Sequence, residues 1–199
     1  VRLRIPGLFS VYNALAAAAC ALRLGLPFDK VVEALCAVQG VKGRAEIVPT
    51  GRDFTVVIDY AHTPDGLENI CKTMKKCTEG RLVTVFGCGG DRDKGKRPQM
   101  GAIAAALSDF MVITSDNPRT EEPEGIIQDI LEGIKGSKTP YKVIENRPEA
   151  VRWAVLHARP GDTVLLAGKG HETYQILKSG IIHLDEREVV AEALQESGD

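Results

Sequence analysis

A chain of 199 residues is long enough for one full domain, or for a domain with a piece of another. With 44% hydrophobic and 26% charged residues it has the composition of a globular protein, which excludes wholesale disorder. Its 25 Lys and Arg against 27 Asp and Glu give a net charge of −2, which speaks against a dedicated nucleic-acid binder.

No stretch reaches the roughly 20 apolar residues of a membrane span. The most apolar run, Ala14 to Leu22, is short, Ala-rich and without the cleavage site of a leader. The cysteines, Cys20, Cys36, Cys71, Cys77 and Cys88, are odd in number and form no C-x-x-C pair. They predict reduced thiols in a cytoplasmic protein, with neither a disulfide framework nor a zinc site.

Two helical patterns come first. Leu15, Ala19, Leu22 and Leu26 share a face over Asn13–Leu26, and Val31, Leu35 and Val38 share one over Asp29–Val38, with Asp29 as the expected N-cap. Gly40, Gly43 and Pro49 break the pattern. Strands are then expected at Phe54–Ile58, Leu82–Phe86, Phe110–Thr114, Tyr141–Ile144, Thr163–Ala167 and Ile181–Leu184. Helices are expected at Pro64–Cys77, Arg97–Leu107, Glu124–Ile134, Pro148–Ala158 and Glu188–Leu194. Apolar strands alternating with amphipathic helices predict an α/β fold, a mostly parallel sheet with helices on both faces. The two leading helices lack a sheet of their own and predict the tail of a preceding domain over 1–41, with the sheet domain over 42–199. A start at Val1 rather than Met fits a fragment.

In open α/β sheets ligands bind outside the carboxyl ends of the strands, so the residues after each strand carry the functional expectation. Those after Ile58 run Asp59-Tyr60-Ala61-His62-Thr63-Pro64-Asp65, and those after Phe86 begin Gly87-Cys88-Gly89-Gly90-Asp91-Arg92-Asp93. Thr114 is followed by Ser115-Asp116-Asn117-Pro118-Arg119, and Ala167 by Gly168-Lys169-Gly170-His171-Glu172. Four such loops on one sheet edge predict a site. Gly90 to Lys96 nearly spells a phosphate-binding P-loop, but Arg97 stands where Ser or Thr must bind Mg²⁺, and Arg92 breaks G-x-G-x-x-G. The Arg and Lys of that loop suit a carboxylate or phosphate, or form a solvated charge run. Pro118 fixes a short turn in which Asn117 and Arg119 project, with Asp116 orienting Arg119 or capping the turn. Cys88 reads as a packed thiol. No metal site and no nucleophilic triad is expected.

These loops, together with Gly7-Leu8-Phe9-Ser10-Val11-Tyr12-Asn13-Ala14 and Gly43-Arg44-Ala45-Glu46, occur in an order that resembles the Mur ligases. These are ATP-dependent amide-bond enzymes of peptidoglycan precursor synthesis. The resemblance implies a Rossmann-like C-terminal domain preceded by two helices from the end of a central ATPase domain, the rest of which and the UDP-sugar domain are absent. It implies ATP with Mg²⁺ as cofactors, and meso-diaminopimelate and a UDP-muramoyl dipeptide as substrates. Asn13, Arg44, Asp59 and His62 would then face the nucleotide, with Arg44 catalytic at the γ-phosphate and Asp59 on the ribose. Arg92, Asp116, Asn117, Pro118, Arg119, Gly168 and Glu172 would bind the amino acid, the Arg residues taking carboxylate and Glu172 and Asn117 taking ammonium. Ser10 replaces the first Asn of the family's N-x-x-N pattern, and Asn13 keeps the second. A lysine-adding relative or a folylpolyglutamate synthetase-like ligase is the alternative, and a nucleotide-binding Rossmann module a more distant one.

Overall fold

The computed structural model describes residues 1–3 and 5–196; the final positions of the expected 42–199 domain lie outside the described residues. Two helices, α1 (Leu8–Arg23) and α2 (Phe28–Ala37), lead the chain. The first starts ahead of its predicted boundary. Pro27 rather than Asp29 occupies the N-cap of α2, and Asp29 instead places its charge in the first turn.

The sheet comprises β1 (Glu46–Val48), β2 (Thr55–Asp59), β3 (Leu82–Phe86), β4 (Phe110–Ile113), β5 (Tyr141–Val143) and β6 (Thr163–Ala167), in the order β1-β2-β6-β3-β4-β5. All neighbours pair in parallel except β1, which runs antiparallel at the edge beside β2. The helices α3 (Pro64–Cys77), α4 (Lys96–Leu107), α5 (Pro123–Glu132) and α6 (Arg147–Leu156) connect the parallel strands, and α7 (Glu186–Glu196) closes the chain. Pro at the first turn starts α3, α5 and α6, where its missing N–H costs nothing, and Thr63 and Asn146 cap α3 and α6 through their side chains.

Crossovers through α3, α4 and α5 step the same way along the sheet, so right-handedness puts all three on one face. Their Leu67, Ile70, Met74, Met100, Ala104, Ile126 and Ile130 pack there with Val57, Phe86, Met111 and Leu165. The return from β5 to β6 reverses direction and places α6, with α7, on the other face. Val151, Ala154, Val155, Val190 and Ala193 pack there against Val56, Ile58, Val85 and Leu166. Burial on both faces explains why these strands read as continuous apolar runs.

The strand expected at Ile181–Leu184 is β8 (Gly180–His183), but it does not join the sheet. It pairs with β7 (Tyr174–Leu177) in a separate antiparallel ribbon. Residues of the leading segment also reach the core, Ile5 and Phe9 packing against the α3–α5 side.

Candidate functional site

The chain leaves β2 and β3 toward the α3–α5 face and leaves β6 toward the ribbon and α7. A crevice therefore opens at the carboxyl end of β6, the topological switch point. Two adjoining cavities lie at this edge.

The first, of about 670 Å³, is lined by Phe9, Ser10 and Asn13 from α1, by Arg44 and Asp59, and by Asn69 and Ile70 from α3. Asp59 is buried at the end of β2, and its Oδ2 accepts the backbone N–H of Ala45 at 2.7 Å. Burial pushes the Asp59 carboxyl up; the hydrogen bond from Ala45 N–H and the Arg44 charge oppose it. The Arg44 guanidinium stands 5.1 Å from the centre of the Tyr60 ring.

The second cavity, of about 320 Å³, gathers Arg92, Asp116, Asn117, Arg119, Gly168 and Glu172, the last loop residues in sequence reaching the first in space. His62 belongs here rather than beside Asp59, with its Nδ1 2.8 Å from the Tyr60 carbonyl and its own carbonyl accepting from Lys96 Nζ at 2.8 Å. Pro118 does not line the cavity; its carbonyl lies where a side chain on Gly90 would fall.

The loops are cross-tied. Gly90 N–H donates to Asn117 O at 2.9 Å, and Arg119 Nη1 donates back to Gly90 O at 2.9 Å. Arg119 takes a left-handed φ of 56°. The ribbon strand β7 docks onto the same turn: Gln175 Nε2 donates to Asp116 O at 2.6 Å, and Ile176 N–H to Asn117 Oδ1 at 2.9 Å.

Asp116 does not orient Arg119. Its Oδ2 lies 3.7 Å from Nη1 of the fully buried Arg147, whose Nε is held by buried Glu186 at 2.8 Å. Asp116 Oδ2 and Arg147 Nη1 are buried without a hydrogen-bond partner among the described residues. Arg97 is neither a ligand group nor a solvated charge. It is fully buried and bonds Glu121 at 2.8 and 3.0 Å, Asp129 at 2.8 Å and Gly89 O at 3.3 Å, tying the β3–α4 loop to α5. Burial lifts the Cys88 thiol to about 12, which fits a packed thiol.

Glu172 lines the second cavity together with two further carboxylates, Asp93 and Asp116. Its Oε2 accepts Asn117 Nδ2 at 3.0 Å and Lys169 Nζ at 3.2 Å, and its Oε1 accepts Tyr60 OH at 3.4 Å. Burial raises its carboxyl, but the Asn117 hydrogen bond and the Lys169 charge outweigh this and hold it below the usual range. Asn117 Oδ1 is already taken by Lys169 Nζ at 2.7 Å and by Ile176 N–H. The amide therefore meets a ligand as a donor, which suits a carboxylate and not the ammonium expected from sequence.

Sequence reasoning gave no role to Tyr60, which lines the second cavity, or to Lys169 beneath it, whereas Lys96, one of the basic loop residues expected to suit a carboxylate or phosphate, does line it. Lys169 stood inside a motif already singled out, but a charged residue between two glycines gives no sign of complete burial. No group of three or more His, Cys, Asp or Glu that could hold a metal ion occurs among the described residues.

A charged crevice at the switch point of a doubly wound sheet defines a ligand-binding α/β domain. Residues 43–170 match the family model described as Mur ligase, glutamate ligase domain, and the chain belongs to that family. It is 58% identical over 197 residues to the UDP-N-acetylmuramoyl-L-alanyl-D-glutamate--2,6-diaminopimelate ligase of Caldanaerobacter subterraneus subsp. tengcongensis, covering 99% of this chain and 41% of that protein. It is 54% identical to the corresponding ligase 1 of Clostridium acetobutylicum, over 98% of this chain and 41% of that one. A solved structure of a ligase of the same name aligns with a TM-score of 0.76 at 37% identity, over all of this chain and 41% of its own. The chain thus spans about two fifths of the length of the curated relatives it matches.

Proposed function

We propose that this chain is the amino-acid-binding portion of an ATP-dependent ligase. The whole enzyme would join meso-diaminopimelate to UDP-N-acetylmuramoyl-L-alanyl-D-glutamate in peptidoglycan precursor synthesis. Residues 42–199 form the amino-acid domain in this reading, and 1–41 the end of an ATP-binding domain. The observation that carries it is the second cavity, where Arg92, Arg119, Asn117 and Glu172 converge. Meso-diaminopimelate bears carboxylate and ammonium at both ends, and the cavity sets two guanidinium groups and an amide donor beside carboxylates that include Glu172. The names of the relatives support the choice of amino acid.

The first cavity suits ATP. Asp59, fixed by Ala45 N–H, offers an acceptor to ribose hydroxyls, Asn13 a polar contact, and Arg44 a charge for phosphate. ATP supplies the phosphoryl group that converts the D-glutamyl carboxylate into an acyl phosphate, releasing ADP. The diaminopimelate amine then bonds to that carbonyl carbon, phosphate leaves and the amine loses a proton. The residues of this chain contribute by holding the amine in place and matching developing charge.

Arg119 decides between diaminopimelate and lysine, which lacks the distal carboxylate. In the full-length ligase, Arg119→Ala should lower kcat/KM for diaminopimelate by at least about 30-fold, the lower end for a buried charge pair broken on one side. The KM for ATP should stay nearly unchanged. Arg119→Lys should rescue poorly, since an ammonium cannot form the planar fork. An equal loss with lysine and diaminopimelate would leave Arg119 only its ties to the Gly90 and Asn117 carbonyls and move selectivity to Arg92.

A further inference from the structure

Lys169 is a fully buried cation beneath the second cavity, and no substrate contact proposed for that cavity engages it. An ammonium away from water is costly unless paired. Its Nζ donates to Asn117 Oδ1 at 2.7 Å and to Glu172 Oε2 at 3.2 Å, and lies 5.6 Å from the centre of the Tyr174 ring. It thereby bridges the loop after β4 to the loop after β6.

We propose that Lys169 is a positioning residue: its ammonium locks the Asn117 amide and the Glu172 carboxylate in the orientation that receives the amino acid, without touching that substrate. The proposal rests on reading the second cavity as the amino-acid site.

Two donors, Lys169 Nζ and Ile176 N–H, converge on Asn117 Oδ1, so the amide cannot turn over without losing both. Nδ2 is then forced toward Glu172 Oε2, which also takes the lysine. With Oε2 doubly occupied and Oε1 engaged only by the long Tyr60 contact, Oε1 is the oxygen left for a ligand's ammonium. Burial lowers the Lys169 basicity and Arg147 adds to this, while Asp116 and Glu172 oppose it. The flanking Gly168 and Gly170 take φ of 117° and 53°, and a Cβ there would run into Asp116 Oδ2 and Tyr60 Cβ respectively.

The test is a double-mutant cycle in the full-length ligase, read as KM for meso-diaminopimelate against kcat and KM for ATP. Lys169→Met keeps the stem and removes the charge. It should raise the KM for diaminopimelate about tenfold or more, with the KM for ATP within about twofold. Glu172→Gln alone should also raise it, and adding Lys169→Met to that variant should raise it by clearly less than Lys169→Met does alone, because a neutral Gln needs no counter-charge and only the hold on Asn117 is left to lose. Independent, multiplying effects would overturn the proposal, as would an equal rise in both KM values. A Lys169→Met enzyme with unchanged KM beside an impaired Glu172→Gln overturns the positioning role but leaves the amino-acid site standing. Unchanged KM in both Glu172→Gln and Arg119→Ala overturns the site itself. If Lys169→Met alone does not fold, the double variant decides: it should stay within a few-fold of Glu172→Gln, and a further loss of about tenfold overturns the proposal.

Discussion

Gly43 holds a φ of +71°, and a Cβ there would lie 2.2 Å from both Gly170 C and His171 N. Strain and a backbone clash therefore combine at the point where the Arg44 loop docks on the Glu172 loop. Gly43→Ala should destabilise by about 1–3 kcal/mol. Each kcal/mol shifts the melting midpoint of a chain this size by about 2–4 °C, so a thermal melt reads the effect directly. An unchanged midpoint would mean that the two loops do not touch. The Gly43 to Glu46 motif was visible in the sequence, yet its reason was not, because the partner loop lies near the other end of the chain. The same holds for Arg97. Spacing marks it as the residue that spoils a phosphate loop, while its ion pairs with Glu121 and Asp129 exist only in the fold.

At the scale of elements, the central strands were legible because burial on both faces leaves a run of Val, Ile, Leu and Phe. The short β1 and the half-exposed β7 were not. β7 owes its place to hydrogen bonds from Gln175 and Ile176 to the Asp116–Asn117 turn, a partner far away in the chain. The tie between the β3–α4 loop and α5 predicts an acid-sensitive step. The hydrogen bond from Arg97, then that from Asp91 N–H, hold the Glu121 carboxyl down at about 2, against an ordinary value of 4.5. A folded pKa below the unfolded one stabilises fully above the unfolded value, and the stabilisation is lost as pH falls toward the folded one. Unfolding free energy should therefore decline between about pH 5 and pH 2, and Glu121→Gln should flatten that decline. Denaturant titrations of both proteins across that range make the comparison; parallel curves would remove Glu121 from the account.

For the whole molecule, the α/β class and the loops that form the site were readable because loop order and strand ends follow the chain. The division of the strand-end loops between two cavities was not, and it sets His62 with Arg92 and Arg119 rather than with Asn13, Arg44 and Asp59. A chain beginning at Val41 keeps every strand and both core faces, and should melt cooperatively. It loses the packing of Ile5 and Phe9 on the α3–α5 side, which should lower its midpoint by several degrees, at about 2–4 °C per kcal/mol. A broad, non-cooperative melt would show that the leading helices belong to this core.

The strand order has a consequence for biosynthesis. Strands β2 and β3 follow one another in the chain but never touch; the slot between them belongs to β6, paired in register with both. A ribosome delivers β2, β3, β4 and β5 well before the strand that joins β2 to the others. Until Thr163–Ala167 emerges, β2 and the β3–β5 block have facing edges of unpaired, apolar backbone. From the completion of β3 until β6 emerges the nascent sheet thus exists as two unjoined pieces, open to chaperones and to pairing with other copies. Any message truncated before Thr163 yields a polypeptide that has no means of closing its sheet.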